Sequence, residues 1–126
     1  IVQALRGEPL TVYGDGLQTR SFCFVDDLIR GIELLMQSYY VLPVNLGNPL
    51  EISMLDLIAT IQSRLLGLQI KVKHLPLPVD DPKQRCPDIS VAGSLGWEPM
   101  ISLTDGLNRT INWFERLDMP QYRRLT

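Results

Sequence analysis

The sequence predicts an α/β fold, in which short strands alternate with helices along a chain of 126 residues. Apolar residues recur at three- and four-residue spacing in the segments 28–36, 57–66 and 103–114, which is typical of amphipathic helices. Apolar and polar residues alternate in the short runs 10–13 and 69–74, which predicts strands. These elements are too few and too short for a complete doubly wound sheet, so we expect about four to five helices and an incomplete Rossmann core.

The first element is the end of a helix, over Ile1 to Arg6, which Gly7 and Pro9 stop. Since the chain has no initiator Met, we expect it to begin inside a larger protein. The run Leu10–Tyr13 follows and leads into Gly14-Asp15-Gly16. Asp-Gly between two strand-like runs predicts a turn, because glycine adopts positive φ at little cost, and a hairpin is the simplest interpretation.

The next segment predicts a helix from Asp26 or Asp27, as its cap, to about Ser38. We expect one face of this helix to be buried, namely the face that carries the apolar residues Leu28, Ile29, Ile32, Leu35 and Met36. Val44–Gly47 predicts a short buried strand.

The middle of the chain begins with Ser53-Met54-Leu55-Asp56, a capping-box-like start with Asp in place of Glu. The helix that follows ends near Gly67, and its expected buried side carries Leu57, Ile58, Ile61, Leu65 and Leu66. The alternation over 69–74 predicts a half-exposed strand. The segment 75–87 contains four prolines and no periodicity, which predicts an irregular loop.

The last part predicts a short helix capped by Asp88 and closed by Gly96, and then a longer helix from about Leu103 to Leu117. The apolar residues of that second helix are Leu103, Leu107, Ile111 and Phe114. Trp97 and Trp113 are expected to pack in the core or between domains. We assign residues 1–118 to one substrate-binding unit and residues 119–126 to a tail.

Composition excludes several classes of function. The net charge of −2 gives no electrostatic reason to expect nucleic acid or an anionic membrane as a partner. No apolar run is long enough for a membrane span. Two cysteines and one histidine make a zinc site unconvincing and favour reduced thiols in the cytoplasm.

The candidate binding residues cluster around the Gly14–Gly16 turn. Tyr13, Gln18 and Arg20 offer a flat ring, an amide and a guanidinium, which together suit a nucleotide. A second arginine, Arg85, also lies in a non-helical stretch, and two guanidinium groups could clamp a diphosphate. The alternatives stay open at this point: an ordinary hairpin with a solvated Arg20, and two arginines in surface salt bridges.

Other groups of residues give weaker indications of a catalytic or binding site. Gly14 and Gly16 precede a strand-like run rather than a helix, so they do not fit a dinucleotide-binding fingerprint. His74 lies in an alternating strand, and nothing supports a catalytic triad around it. We expect Asp80 and Asp81 to pair with their neighbours Lys83 and Arg85 in solvent.

At these residues the sequence resembles the C-terminal part of the extended short-chain dehydrogenases/reductases that act on nucleotide sugars. The similar segments, in the order of that family, are GEPLTVYGDGLQTRSF, PVNLGNP, DDPKQRCPDI, LGWEP and GLNRTINWF. Within the superfamily, VNLGNP and DDPKQRCPDI resemble the UDP-glucuronic acid decarboxylases most. Cys23 and Cys86 depart from that pattern, since relatives carry a larger side chain at Cys23 and a polar or basic one at Cys86.

The resemblance implies an enzyme in which tightly held NAD⁺ oxidises the sugar C4 hydroxyl, carbon dioxide leaves, and NADH reduces the resulting ketone. The elements that hold NAD precede the similar segment in such enzymes. We therefore expect this chain to be the UDP-sugar-binding part of an NAD-dependent enzyme, inactive by itself and without its own cofactor. An isolated half of such an enzyme would expose apolar surface that the missing sheet normally covers, so we also expect a homodimer.

By the same resemblance, Leu10, Thr11, Tyr13 and Gln18 flank the uracil, and Arg20 and Arg85 hold the diphosphate or the sugar end. The position of Arg20 has also been implicated in the decarboxylation step of related enzymes. Two alternatives remain: part of another nucleotide-sugar epimerase or 4,6-dehydratase, and a non-catalytic binding or assembly domain.

Overall fold

The computed structural model describes residues 1–67 and 69–117. Their helices and strands, in chain order, are α1 (Val2–Leu5), β1 (Leu10–Tyr13), β2 (Thr19–Ser21), α2 (Val25–Gln37), β3 (Glu51–Ser53), α3 (Met54–Arg64), β4 (Val72–Leu75), α4 (Ser90–Ser94) and α5 (Leu103–Arg116). This confirms the α/β class with five helices and short strands. The predicted tail, 119–126, lies outside the described residues.

The strands form two separate two-stranded sheets. β1 pairs in parallel with β4, from Leu10 opposite Val72 to Tyr13 opposite Leu75. β2 pairs antiparallel with β3, with Thr19 opposite Ser53. The predicted hairpin is therefore wrong: β1 and β2 do not pair with each other.

The predicted turn does form, with φ of 65° at Gly14 and 80° at Gly16. It fails to make a hairpin because the chain after it is tied to the start of α3. The amide of Leu55 donates to the Gly16 carbonyl at 3.2 Å, and a Cβ on Gly16 would lie 2.8 Å from the Leu55 side chain. The turn thus connects a strand of the first sheet to a strand of the second.

The hydrophobic core joins β1 to α1, α3 and α5 through Ala4, Leu10, Ile61, Leu65, Leu107 and Ile111. Serines start both long helices of this core: Ser53 accepts a hydrogen bond from the Asp56 amide at 3.0 Å, and Ser102 accepts one from the Asp105 amide at 3.1 Å. Leu66 is exposed, against our expectation, because α3 ends at Arg64 and Leu66 lies in the turn beyond it.

The start of α2 differs from the prediction. Neither Asp26 nor Asp27 caps it; Phe24 is the N-cap residue, without a side-chain cap. Asp27 is only 2% exposed, and its carboxylate accepts hydrogen bonds from the amides of Met100 (3.0 Å) and Ile101 (2.8 Å) and from Arg30 (2.6 Å). Asp27 is therefore a tertiary contact rather than a local cap.

Trp97 completes this contact. Its ring is buried, and its indole nitrogen donates to the Asp27 carbonyl at 2.9 Å. Gly31, one turn along α2, lies so close that a Cβ there would be 2.8 Å from both Trp97 and Leu46. Trp97 thus belongs to the core as expected, whereas Trp113 is exposed and contacts Phe114 edge-on.

The apolar face of α2 is exposed, which corrects our prediction that it is buried. Ile29, Ile32 and Met36 are between 50% and 81% exposed, and Leu28 and Leu35 are only partly buried. The residues of α2 that face inward are Asp27 and Gly31. No described residue covers the opposite, apolar side.

Three further predictions concern extended segments. Val44–Gly47 is not a strand; Asn45 donates to the Asp88 carbonyl at 3.1 Å, and Gly47 packs closely on Pro87. The strand predicted over 69–74 begins only at Val72. The segment 76–89 is irregular, as predicted, and leads into the predicted short helix α4. The predicted cap is wrong: Ile89 is the N-cap residue, without a side-chain cap, and the carboxylate of Asp88 accepts from the Ser90 amide at 2.9 Å just before the helix.

No helix among the described residues is long and apolar enough to cross a membrane.

We expect Asp27→Asn to lower the free energy of unfolding by about 2–3 kcal/mol, because its amide group would face donors that now bind a carboxylate. Asp26→Asn is the matched control. Asp26 is exposed and makes only a 3.3 Å surface pair with Arg109, so its loss should cost below about 0.5 kcal/mol. Urea unfolding followed by circular dichroism measures both.

The effect should depend on pH. Burial alone would raise the pKa of Asp27, but hydrogen bonds from Ile101, Arg30 and Met100 outweigh it and hold that pKa below its usual value. A lowered folded-state pKa stabilises the fold above the unfolded pKa of about 3.9, and this contribution is lost as pH falls through the folded value. The difference between wild type and Asp27→Asn should therefore shrink from pH 7 to about pH 3; an unchanged difference contradicts it.

Candidate functional site

A cavity of about 350 Å³ lies between β1, β2 and α3, and we call it the Arg20 cavity. It contains five of the six predicted binding residues: Leu10, Thr11, Tyr13, Gln18 and Arg20. Its other lining residues are Ile1, Gln3, Val12, Met54, Leu57, Ile58, Ile61 and Asp81. The cavity therefore has an apolar floor on α3 and a polar edge on β1 and β2.

The polar edge is held by hydrogen bonds. Gln18 donates to the Tyr13 carbonyl at 2.7 Å, which closes the turn between the two sheets. The side chain of Gln3 bonds Thr11 twice, donating to its hydroxyl at 3.1 Å and accepting from its amide at 3.3 Å. The Tyr13 ring is exposed, so a planar ligand can reach it.

Arg20 is fixed at this edge. Its guanidinium donates to the Thr19 carbonyl at 2.7 Å and to the Asp81 carboxylate at 2.5 Å. The Arg20 and Asp81 side chains are only 18% and 25% exposed, so the pair is partly shielded from water. Arg20 is thus a held cation and not a solvated surface arginine.

Asp81 is the residue of this site that sequence reasoning missed. We expected it to pair with Lys83 or Arg85, and the structure pairs it with Arg20 instead. The partners are 61 residues apart, so no local spacing indicates the contact. The loop 76–89 brings Asp81 to β2, and its prolines predict only that the loop is irregular.

Arg85 lines a second cavity of about 580 Å³, which we call the Arg85 cavity. Its other lining residues are Ser21, Cys23, Leu28, Leu46, Gly47, Asn48, Cys86 and Pro87. Successive strand residues point to opposite faces, which is why Arg20 lines one cavity and Ser21 the other. The structure therefore gathers five predicted residues in one cavity and Arg85 in its neighbour; that both arginines hold one diphosphate stays a prediction.

The thiol of Cys23 lies in the Arg85 cavity next to charged groups. Burial and the Asp27 carboxylate raise the pKa of Cys23, and the nearby Arg30 partly offsets them. Cys86 is exposed, and its thiol lies 3.3 Å from the Pro49 carbonyl. Both cysteines are free thiols.

The Gly14–Gly16 turn does not have the form of a dinucleotide-binding loop. Gly14 and Gly16 lead into β2, so the helix N-terminus that binds a dinucleotide pyrophosphate does not follow them. His74 is exposed, and its ring Nδ1 lies 2.8 Å from the Gly14 carbonyl, which is a structural role. In the part of the chain that the structure describes, no three His, Cys, Asp or Glu residues are grouped to hold a metal ion.

Comparison with known proteins is consistent across sequence and structure. Residues 1–47 match the model of the NAD dependent epimerase/dehydratase family. UDP-glucuronic acid decarboxylase 1 of Danio rerio is 50% identical over 117 residues, which is 92% of this chain and 28% of that protein. The chain thus spans less than a third of that relative's length.

Two solved structures have the same fold over most of the chain. UDP-glucuronic acid 4-epimerase of Bacillus cereus, in complex with UDP-glucuronic acid and NAD, gives a TM-score of 0.84 and 33% identity, over 91% of this chain and 38% of that one. UDP-glucose 4-epimerase of Thermotoga maritima, with UDP-glucose, gives a TM-score of 0.85 and 28% identity, over 91% of this chain and 37% of that one.

We expect a double-mutant cycle of Arg20→Ala and Asp81→Ala to give a coupling of about 0.5–1 kcal/mol in the free energy of unfolding, because the pair is partly shielded. Asp80→Ala, combined with Arg20→Ala, is the matched control and should give no coupling, since Asp80 is an exposed neighbour of Asp81 in the same loop. Equal coupling energies for Asp80 and Asp81 would contradict a specific Arg20–Asp81 ion pair.

Proposed function

We propose that the chain belongs to the extended short-chain dehydrogenase/reductase superfamily and is the UDP-sugar-binding part of an NAD-dependent UDP-glucuronate decarboxylase that makes UDP-xylose. The observation that carries the proposal is the 50% identity to a UDP-glucuronic acid decarboxylase over 92% of the chain. The Arg20 cavity supports it, because it combines an exposed ring, an amide and a held cation.

In this proposal the nucleoside lies against β1. The residues that flank the uracil are Leu10, Thr11, Tyr13 and Gln18. The Tyr13 ring is exposed and can stack on the base, and backbone groups of β1 lie near the edge of the base. Arg20 and Arg85 approach the diphosphate or the sugar from the two faces of β2. Two forked donors suit phosphate oxygens better than ammonium groups do.

Arg20 has a second proposed role, in catalysis. Loss of carbon dioxide leaves negative charge on the sugar, and a cation already held in place stabilises that charge without having to reorganise. The hydrogen bonds to Thr19 and Asp81 keep the guanidinium in one position. Asp81 also lowers the positive potential that an anionic ligand meets, so ligand binding and the Arg20–Asp81 pair compete.

The cofactor belongs to the proposal as well. NAD supplies hydride transfer at the sugar in such an enzyme. Since the Gly14–Gly16 turn is not a dinucleotide-binding loop, we propose that other parts of the parent protein bind NAD, and that residues 1–118 are a substrate-binding unit which is inactive alone.

The exposed apolar face of α2 supports assembly. Ile29, Ile32 and Met36 would leave water if a second copy of the chain, or the rest of the parent protein, covered them. We propose a homodimeric parent enzyme in a reducing compartment such as the cytoplasm, where the resting form of Cys23 and Cys86 is the thiol.

A second candidate function is nucleotide-sugar epimerisation, which the 33% identity to a UDP-glucuronic acid 4-epimerase favours. Product analysis of the parent protein with UDP-glucuronate separates the two. Released carbon dioxide and a UDP-pentose indicate decarboxylation, whereas a six-carbon epimer indicates epimerisation. UDP binding without turnover in the parent protein would indicate the third alternative, a non-catalytic binding or assembly domain.

We expect the parent protein to bind UDP in isothermal titration, and Arg85→Ala to weaken binding by about ten-fold or more, as expected when one charged donor to phosphate is lost. Arg20→Lys keeps the charge but loses the fork, so it should weaken binding less than Arg20→Ala does.

Arg64→Ala is the matched control for this titration, because Arg64 is an exposed arginine in the last turn of α3. Its affinity for UDP should equal that of the wild type. Unchanged affinity in Arg85→Ala would remove Arg85 from the proposed clamp and leave Arg20 alone.

A further inference from the structure

The two cysteines of the chain line the same cavity. Cys23 follows β2 and Cys86 follows Arg85 in the loop 76–89, and both belong to the wall of the Arg85 cavity. Neither thiol has a role in the proposed binding of a UDP-sugar.

Hydrogen bonds align the two segments that carry these cysteines. The Thr19 amide donates to the Lys83 carbonyl at 3.0 Å, and the Ser21 hydroxyl donates to the Arg85 carbonyl at 3.1 Å. The two contacts advance by two residues on each side, so the segments run in the same direction. One further step of two residues on each side brings Cys23 opposite Pro87, the residue that follows Cys86.

We propose that Cys23 and Cys86 are a redox-responsive thiol pair, which mild oxidation joins into an intramolecular disulfide across the Arg85 cavity. Cys86 is exposed, so a peroxide reaches it first and oxidises its thiol to a sulfenic acid, while the peroxide is reduced to an alcohol or water. The Cys23 thiol then loses its proton and attacks the Cys86 sulfur as the thiolate; the S–S bond forms, the S–O bond breaks, and the hydroxide takes up a proton and leaves as water.

The environment of each thiol supports this order. Cys23 is partly buried, and its raised pKa keeps it protonated and slow to react with peroxide by itself. Cys86 lies next to Arg85 in sequence and in the cavity wall. The bond would fasten the loop 76–89 to the end of β2, and a thiol reductant would release it.

Peptide mapping of the folded protein tests the proposal. After treatment with hydrogen peroxide at low micromolar protein concentration, trypsin without reductant should release the peptides 21–30 and 86–109 joined as one species, which separates on reduction. The cross-link should form at least ~10-fold faster in the folded protein than in guanidinium chloride, because the fold places both cysteines in the wall of one cavity.

Cys23→Ser and Cys86→Ser are the matched controls. Each variant should lose the joined species. The remaining thiol should also differ between them: Cys86 in the Cys23→Ser variant should be more oxidised than Cys23 in the Cys86→Ser variant. Hydrogen exchange gives an independent measure: oxidation should slow amide exchange at residues 83–86 by about ten-fold, because the loop is tethered.

Three results would overturn the proposal. These are cross-links only between two chains, equal rates in the folded and unfolded protein, or stable sulfinic acid at Cys86 with Cys23 still a free thiol.

Discussion

The buried carboxylate of Asp27 is the contact on which the described arrangement depends. It joins the first turn of α2 to the amides of Met100 and Ile101, directly before the start of α5. Trp97 is held by the carbonyl of the same residue. Since α5 packs on α3, and α3 forms the floor of the Arg20 cavity, one carboxylate links α2 to the elements that shape the site.

β2 is the second organising element, because its two faces serve two cavities. Arg20 lies on one side with Asp81, and Ser21 lies on the other with Arg85 and the cysteines. A ligand that touched both arginines would have to pass an edge of this three-residue strand. The loop 76–89 contributes to both sides, through Asp81 and through Arg85, so the position of this loop couples the two cavities.

The helices and five residues of the Arg20 cavity could be predicted from sequence, because their signals are local. Ser53 stands three residues before Asp56, and the apolar spacing of α3 and α5 marks their core faces. Tyr13, Gln18 and Arg20 are close along the chain and stay close in the fold.

What sequence reasoning missed is non-local. The partner of each strand, the Arg20–Asp81 pair and the burial of Asp27 all depend on segments thirty or more residues away. Asp27 looks like a helix cap by its position, and only the arrival of Met100 and Ile101 makes it a buried acceptor. The apolar stripe of α2 has the right period for a buried face, but period alone does not say which partner buries it.

That uncovered stripe bears on how the sequence can change over generations. Polar substitutions at Ile29, Ile32 or Met36 would remove little packing within the part of the chain that the structure describes. Such substitutions would therefore change the stability of this segment little, and selection for folding alone would not preserve the apolar residues. Persistence of apolar side chains there in orthologues would thus record selection for association rather than for folding, and drift toward polar residues would mark lineages in which the association has been lost.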